Sequence, residues 1–223
     1  MRTSLILSHD PQLEHHRVLA GLLPEILQDL GYAPKFRSFV TGAAPREYSD
    51  LLLVMGSFDS TLNLQLPWLA AERQYIRKHL DTGSPAIGIC FGGQLLAELH
   101  GGEVTNAAAA EYGFISVDPT IGSFIEAGPW PSFHYQAFSL PQGAALLAET
   151  PFANQAFLIE RTMGLQFHPE LTVAAAEVLL ATDPTMLNTE ESRQFLSMLA
   201  SQQDELYERT KRMILDFLTT IDR

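Results

Sequence analysis

Residues 85–97 read Pro-Ala-Ile-Gly-Ile-Cys-Phe-Gly-Gly-Gln-Leu-Leu-Ala, and the fold turns on them. Pro85 to Ile89 is an apolar run of strand length, Cys90 ends it, and a helical run begins at once. A strand that passes into a helix through small residues has the geometry of a nucleophile elbow. The residue at such a turn sits on tight, strained backbone, so its neighbours must be small, and Gly88, Gly92 and Gly93 meet that demand. The helix start aims its free amides and positive dipole end at the Cys90 thiol, which favours thiolate. The Phe91 amide is placed to stabilise an oxyanion.

Outward from this point the chain alternates buried strands with amphipathic helices. Leu5-Ile6-Leu7 reads as a strand, Asp10-Pro11 as an N-cap with Pro at the first helical position, and Leu19, Leu22, Leu23, Ile26, Leu27 and Leu30 as one helical face, split by Pro24 and stopped by Gly31. Residues 35–40 and 51–55 are the next strands, the second a continuous apolar run covered on both faces, and 67–79 is a helix. This order gives a doubly wound α/β fold with a mostly parallel sheet. After Glu111 the texture changes to short strands at 112–117, 121–127, 155–160 and 163–167, read as antiparallel additions, and Asn106 with its four alanines reads as a loop. Helices are expected over 170–182 and 189–222. The organisation is one domain, residues 1–185, with a C-terminal helical extension, 186–223.

Composition narrows the function. The chain has 223 residues with 14 Lys plus Arg against 26 Asp plus Glu, a net charge of −12. That balance repels phosphate backbones and anionic lipid, so nucleic acid and membranes are not expected partners. No apolar stretch is long enough for a signal peptide or a membrane helix. Cys90 is the single cysteine, which rules out an internal disulfide and fits a reduced, cytoplasmic setting. No spacing of His or Cys suits a metal, and no cofactor motif occurs. His15, His16 and His79 are explained by a solvated helix face or a contact with a helix C-terminus.

A lone apolar-flanked cysteine is by default a small buried residue. A second cluster, Gly164-Leu165-Gln166-Phe167-His168-Pro169-Glu170, changes that reading. A strand ends at His168, and Glu170 follows across a rigid proline, a spacing that lets the carboxylate hold the imidazole while the ring faces the thiol.

Together, GICFGGQ (88–94) and QFHPE (166–170) resemble the class I glutamine amidotransferases, and more closely stand-alone proteins similar to the glutaminase domain of GMP synthase. The likeness extends to Leu53-Val54-Met55-Gly56, to 67–72, to Glu111-Tyr112-Gly113, to 138–144 and to 154–157, and covers roughly residues 45 to 182. It implies a flavodoxin-like sheet and attack of the Cys90 thiolate on the side-chain amide of glutamine or a related γ-glutamyl compound, through a γ-glutamyl thioester that water resolves. By the same resemblance His168 is general base and then acid, Glu170 orients it, and Gln94 either contacts substrate or supports the elbow.

Three departures qualify this. The oxyanion loop runs Met55-Gly56-Ser57-Phe58, with Ser57 where the family has a second glycine, so the hole is assigned to the amides of Phe91, Ser57 and the Gly56 turn. His134-Tyr135-Gln136 stands where relatives carry His-Gly-Asp. Neutral Gln136 there loses the charge pairing with the substrate's α-ammonium, and His134 and Gln136 are expected at the substrate. No P-loop or other nucleotide motif occurs, so the chain is expected to act alone or with a separate synthetase subunit, its helical tail packing on its own domain, a second copy or such a partner. Two other readings stand beside the enzyme: a catalytically weak or inactive relative that binds a ligand or partner, and a protease or deglycase relative with a similar elbow.

Overall fold

The computed structural model describes residues 2–182 and 189–222; the expected boundary at 185/186 lies outside them. Fifteen elements follow in the order β1 (Arg2–Leu7), α1 (Leu13–Leu19), α2 (Leu23–Asp29), β2 (Tyr32–Arg37), β3 (Leu51–Val54), α3 (Leu69–Asp81), β4 (Ala86–Ile89), α4 (Phe91–Leu99), β5 (Val104–Pro119), β6 (Gly128–Phe138), β7 (Ala145–Glu149), β8 (Asn154–Ile159), β9 (Thr162–Leu165), α5 (Val173–Ala181) and α6 (Glu190–Ile221). One nine-stranded sheet runs β2-β1-β3-β4-β9-β8-β7-β5-β6. Its first five strands are parallel and the other four join antiparallel. This is the flavodoxin-like, doubly wound arrangement with antiparallel additions that the sequence implied.

β3, β4 and β9 are buried along their whole length because helices cover both faces. Trp68, Leu69, Ile76, Phe91, Leu95 and Leu96 from α3, α4 and their approach fill one side. Ile26, Leu27, Ala175, Leu199, Leu206 and Phe217 from α2, α5 and α6 fill the other. α6 therefore shares the main core. Its Arg209 stacks 4.0 Å over the Trp130 ring and its Tyr207 donates to Asp29 at 2.8 Å. Among the described residues no helix is long and apolar enough to cross a membrane.

Several local expectations are corrected. Asp10 does not cap α1; its Oδ1 accepts from the Gln12 amide at 2.7 Å, an Asx turn that delays the helix to Leu13. β2 begins three residues earlier than expected because it pairs in register with β1 from Arg2↔Tyr32 onward. Residues 106–110 lie within β5 rather than in a loop; Asn106 pairs with Gln136 and Glu111 with His134, and the four alanines bulge between those two pairs without partners on β6. Residues 121–127 form no strand: Ser123 N–H returns to Thr120 O at 3.0 Å, Ile121 faces solvent and Ile125 the core. His16 and His79 are buried rather than solvated, and bond the carbonyls of Asp10 (2.7 Å) and Pro85 (3.3 Å).

Candidate active site

In open α/β sheets ligands gather at the carboxyl ends of the parallel strands, and here β1, β3, β4 and β9 deliver His9, Gly56, Cys90 and His168 to that edge. Cys90 has φ 52 and ψ −109, a conformation that L-residues reach only when the surroundings impose it. The packing does so. A Cβ on Gly92 would lie 2.0 Å from the Val54 carbonyl oxygen, so α4 begins in direct contact with β3 and no side chain fits between them. The Cys90 amide is tied to Leu165 O on β9 at 2.8 Å.

The second motif is clamped by backbone on both sides. His168 N–H donates to Pro131 O at 2.7 Å, and Leu22 N–H donates to Glu170 O at 2.9 Å. Gly21, with φ +53, lets that approach happen, because a Cβ there would sit 1.9 Å from Glu170 O. Between the two, Pro169 O accepts from Thr210 of α6 at 2.7 Å. His168 Nδ1 meets Glu170 Oε1 at 2.8 Å. The ring turns its other edge to Cys90: the His168 Cε1 atom would lie 3.2 Å, and the Cys90 Cβ 3.7 Å, from a Cβ placed on Gly56. Burial disfavours charge on His168, but the Glu170 carboxylate and the Cys90 sulfur outweigh it and push the imidazole up to about 10.

A cavity of about 210 Å³ opens over these groups, lined by Cys90, His168 and Glu170, by Gly56 and Ser57, and by Tyr112, Phe133 and Tyr135 of the β5–β6 ribbon. Tyr112, Tyr135 and Phe58 are about half exposed at its walls. The Cys90 thiol lies 3.9 Å from the Phe133 carbonyl. Cys90, His168, Glu170, Gly56 and Ser57 are thus brought together, and the Phe91 amide adjoins them at the first residue of α4.

Gln94, His134 and Gln136 do not line the cavity, and of the two roles expected for Gln94 the structure places it in the second. Gln94 is buried in the elbow's support, donating to Gln136 O (3.1 Å) and Gln166 Oε1 (3.2 Å). The Gln136 side chain turns away from the cavity to accept from Ser60 Oγ at 2.7 Å. His134 faces the interior, 3.2 Å from Glu111 Oε2, a carboxylate oxygen also held by Gln155 at 2.7 Å. Burial, helped by the charge of His168, pushes His134 down to about 4. Alternation along β6 explains the outcome: with His134 inward, Phe133 and Tyr135 point to the cavity.

Sequence patterns named Asp10 only as a helix cap, whereas it lines the cavity, and did not single out the buried pair His9 and Glu72. Their signal was Ser8-His9-Asp10, polar residues that follow directly on a buried parallel strand. Thr210 had none, since a hydroxyl on a distant helix is not tied by spacing to Pro169.

The model of the glutamine amidotransferase class-I family matches residues 41–183. The chain belongs to the class I glutamine amidotransferases. It is 38% identical over 159 residues to the glutamine-hydrolyzing GMP synthase subunit of Sulfurisphaera tokodaii, covering 66% of this chain and 82% of that protein. With the glutamine-hydrolyzing GMP synthase of Acetivibrio thermocellus it shares 34% identity over 104 residues, which is 43% of this chain but 20% of that one. A glutamine amidotransferase from Thermotoga maritima superposes with a TM-score of 0.85 at 19% identity, covering 97% of each chain, a likeness of fold. The chain is a glutamine amidotransferase domain similar to the glutaminase subunit of GMP synthase, and hydrolysis of glutamine's amide is the chemistry general to that family.

Proposed function

We propose that this domain hydrolyses the side-chain amide of glutamine, or of a related γ-glutamyl compound, with Cys90 as nucleophile. The observation that carries the reading is the left-handed Cys90 at the head of α4, facing an imidazole whose far nitrogen is held by Glu170. The thiolate adds to the γ-carbonyl carbon, and the oxygen's charge falls between the amides of Phe91 and Ser57. Protonated His168 gives its proton to the departing nitrogen, which leaves as ammonia or an amine and a γ-glutamyl thioester remains. His168 then takes a proton from water as that water attacks the thioester; collapse releases glutamate, whose carboxyl proton passes to solvent, and restores the thiolate beside protonated His168. Ammonia passes to a separate synthetase subunit. The name of the archaeal relative, itself a subunit, supports this. A reduced, cytoplasmic setting suits a chemistry that needs the free thiol.

A second reading has its own support: the residue expected to meet the α-ammonium, Gln136, is engaged with Ser60, and half-exposed tyrosines stand at the cavity instead. On that reading the domain binds a ligand or partner and turns over free glutamine weakly. Glutamate release from glutamine, γ-glutamyl peptides and γ-glutamyl amines, with Cys90→Ala as control, separates the two. Cys90-dependent release from any of them supports the enzyme. Release from none, with bound ligand detected by calorimetry, supports the binding module.

A further inference from the structure

The carbonyl of Gly56 and the amide of Ser57 are the two ends of one peptide group, and His9 holds the first. His9 Nδ1 lies 3.0 Å from Gly56 O, and because a carbonyl oxygen only accepts, that nitrogen carries a hydrogen. The other ring nitrogen, Nε2, lies 2.8 Å from Glu72 Oε1 on α3. The ring is wedged between Trp68 and Phe91, with centroids at 5.3 and 4.8 Å. His9 borders the cavity, but its side chain is 1% exposed and that of Glu72 0%, and both ring nitrogens are engaged, Nδ1 with Gly56 O and Nε2 with Glu72. Burial opposes charge on His9, while Glu72, the Gly56 carbonyl and Asp59 raise its pKa. No cis peptide occurs among the described residues; in a trans peptide the carbonyl and the N–H point to opposite sides. With its oxygen pulled down to His9, the Gly56–Ser57 peptide sends the Ser57 N–H the other way. Ser57 lines the cavity beside Cys90, and its amide has no acceptor among the described residues.

We propose that His9, oriented by Glu72, is a positioning residue that turns and polarises the Gly56–Ser57 peptide, so that the Ser57 amide faces the oxygen that becomes negative when Cys90 is acylated. This rests on the reading of Cys90 as nucleophile and adds to it. It also accounts for the serine: a peptide pinned by its carbonyl needs no glycine at the next position to hold its N–H in place.

Two reactions of Cys90 in the full chain separate positioning from general support. Acylation by p-nitrophenyl acetate forms a sulfur–carbonyl bond through a tetrahedral oxyanion and expels p-nitrophenolate. Alkylation by iodoacetamide forms a sulfur–carbon bond at a saturated carbon, expels iodide and makes no oxyanion. Removing one oxyanion-hole donor costs about 10²–10³-fold. His9→Leu is therefore expected to slow acylation about 30- to 100-fold and alkylation less than threefold. His9→Asn, which keeps a donor near the Nδ1 position, is expected to recover acylation to within about tenfold of wild type. Glu72→Gln keeps the acceptor and removes the charge, and is expected to slow acylation about three- to tenfold with alkylation unchanged. It also tests the proposal if His9→Leu does not fold. Acylation and alkylation falling in parallel, or an unchanged ratio of the two in Glu72→Gln, overturns the proposal. Wild-type protein that is acylated but releases no glutamate from any γ-glutamyl compound overturns the substrate reading and leaves the His9 ratio to decide its own question. A wild-type Cys90 inert to both reagents overturns both.

Discussion

The carboxyl edge of β3, β4 and β9 and the β5–β6 ribbon face each other across the cavity, and they are built on opposite principles. On the first, Cys90, His168 and Glu170 are set by backbone: amide-to-carbonyl bonds of 2.7–2.9 Å reach the flanking residues from β6, β9 and the α1–α2 junction, and α4 leaves no space for a methyl group at Gly92. The second is a long two-stranded ribbon with a register shift and side chains that alternate between a buried polar cluster around Glu111 and half-exposed tyrosines. On the proposed function, the difference assigns reaction geometry to close-packed backbone, where an error of about 1 Å costs about 10²-fold in rate, and recognition to side chains on a surface that tolerates change.

The largest effect expected from breaking the first region is at Cys90. Cys90→Ala and Cys90→Gly are both expected to lose glutamate release by at least about 10³-fold. They should differ in stability: glycine accepts φ 52 and should unfold at a higher urea concentration than alanine, corresponding to about 1 kcal/mol. Equal midpoints would show that the turn is unstrained. Next, Gly92→Ala forces a Cβ to 2.0 Å from Val54 O and is expected to cost about 3 kcal/mol in thermal or urea unfolding.

The ribbon's largest effect is a pH dependence. His134 is pushed down to about 4 in the fold against an ordinary value near 6.5, so the unfolded chain binds its proton first. Its contribution to stability is full above pH 6.5 and is lost as pH falls toward 4, by a few kcal/mol at most, since each tenfold change in proton affinity corresponds to about 1.4 kcal/mol. His168 has the opposite sign: raised to about 10, it contributes fully below pH 6.5 and its contribution is lost as pH rises through about 10. Urea midpoints for His134→Gln should therefore fall less steeply between pH 6.5 and 4.5 than those of the wild type. Equal slopes would place the acid sensitivity elsewhere.

A smaller effect tests whether the rigid edge depends on α6. Thr210→Val leaves the Pro169 carbonyl without its 2.7 Å donor and should cost about 1–2 kcal/mol. Because Pro169 separates His168 from Glu170, kcat should fall about three- to tenfold with KM little changed. The smallest change is expected at Tyr135→Ala on the ribbon wall, which should raise KM about twofold to fivefold and leave kcat within a factor of two. A kcat loss there would erase the contrast between the two regions.

Most of the α/β half was legible because continuous apolar runs, helical spacing and punctuation by Gly and Pro agree with one another from β1 to α4. The motifs at 88–94 and 166–170 were legible because elbow chemistry demands particular residue types at fixed, local spacing. Misreadings concentrated on the antiparallel flank. Asn106 to Ala110 has no intrinsic strand signal and bulges between two paired stretches of β5, while 121–127 alternates apolar residues that end on different sides of a loop. His134 and Gln136 stand in the stretch read as substrate-binding and were expected at the substrate, but a side chain's face is set by strand register and by partners such as Ser60 and Glu111.

From the sequence alone came the doubly wound sheet, the elbow at Cys90 and its counterpart at His168 and Glu170, because these depend on periodicity and on contacts within a few residues. Tertiary structure decided which side chains line the cavity, that α6 braces Pro169, and that His9 and Glu72 lie beneath the Gly56–Ser57 peptide. Those contacts join residues 41 to 76 positions apart through single hydrogen bonds, and no local pattern encodes a bond whose two ends meet only when the sheet closes.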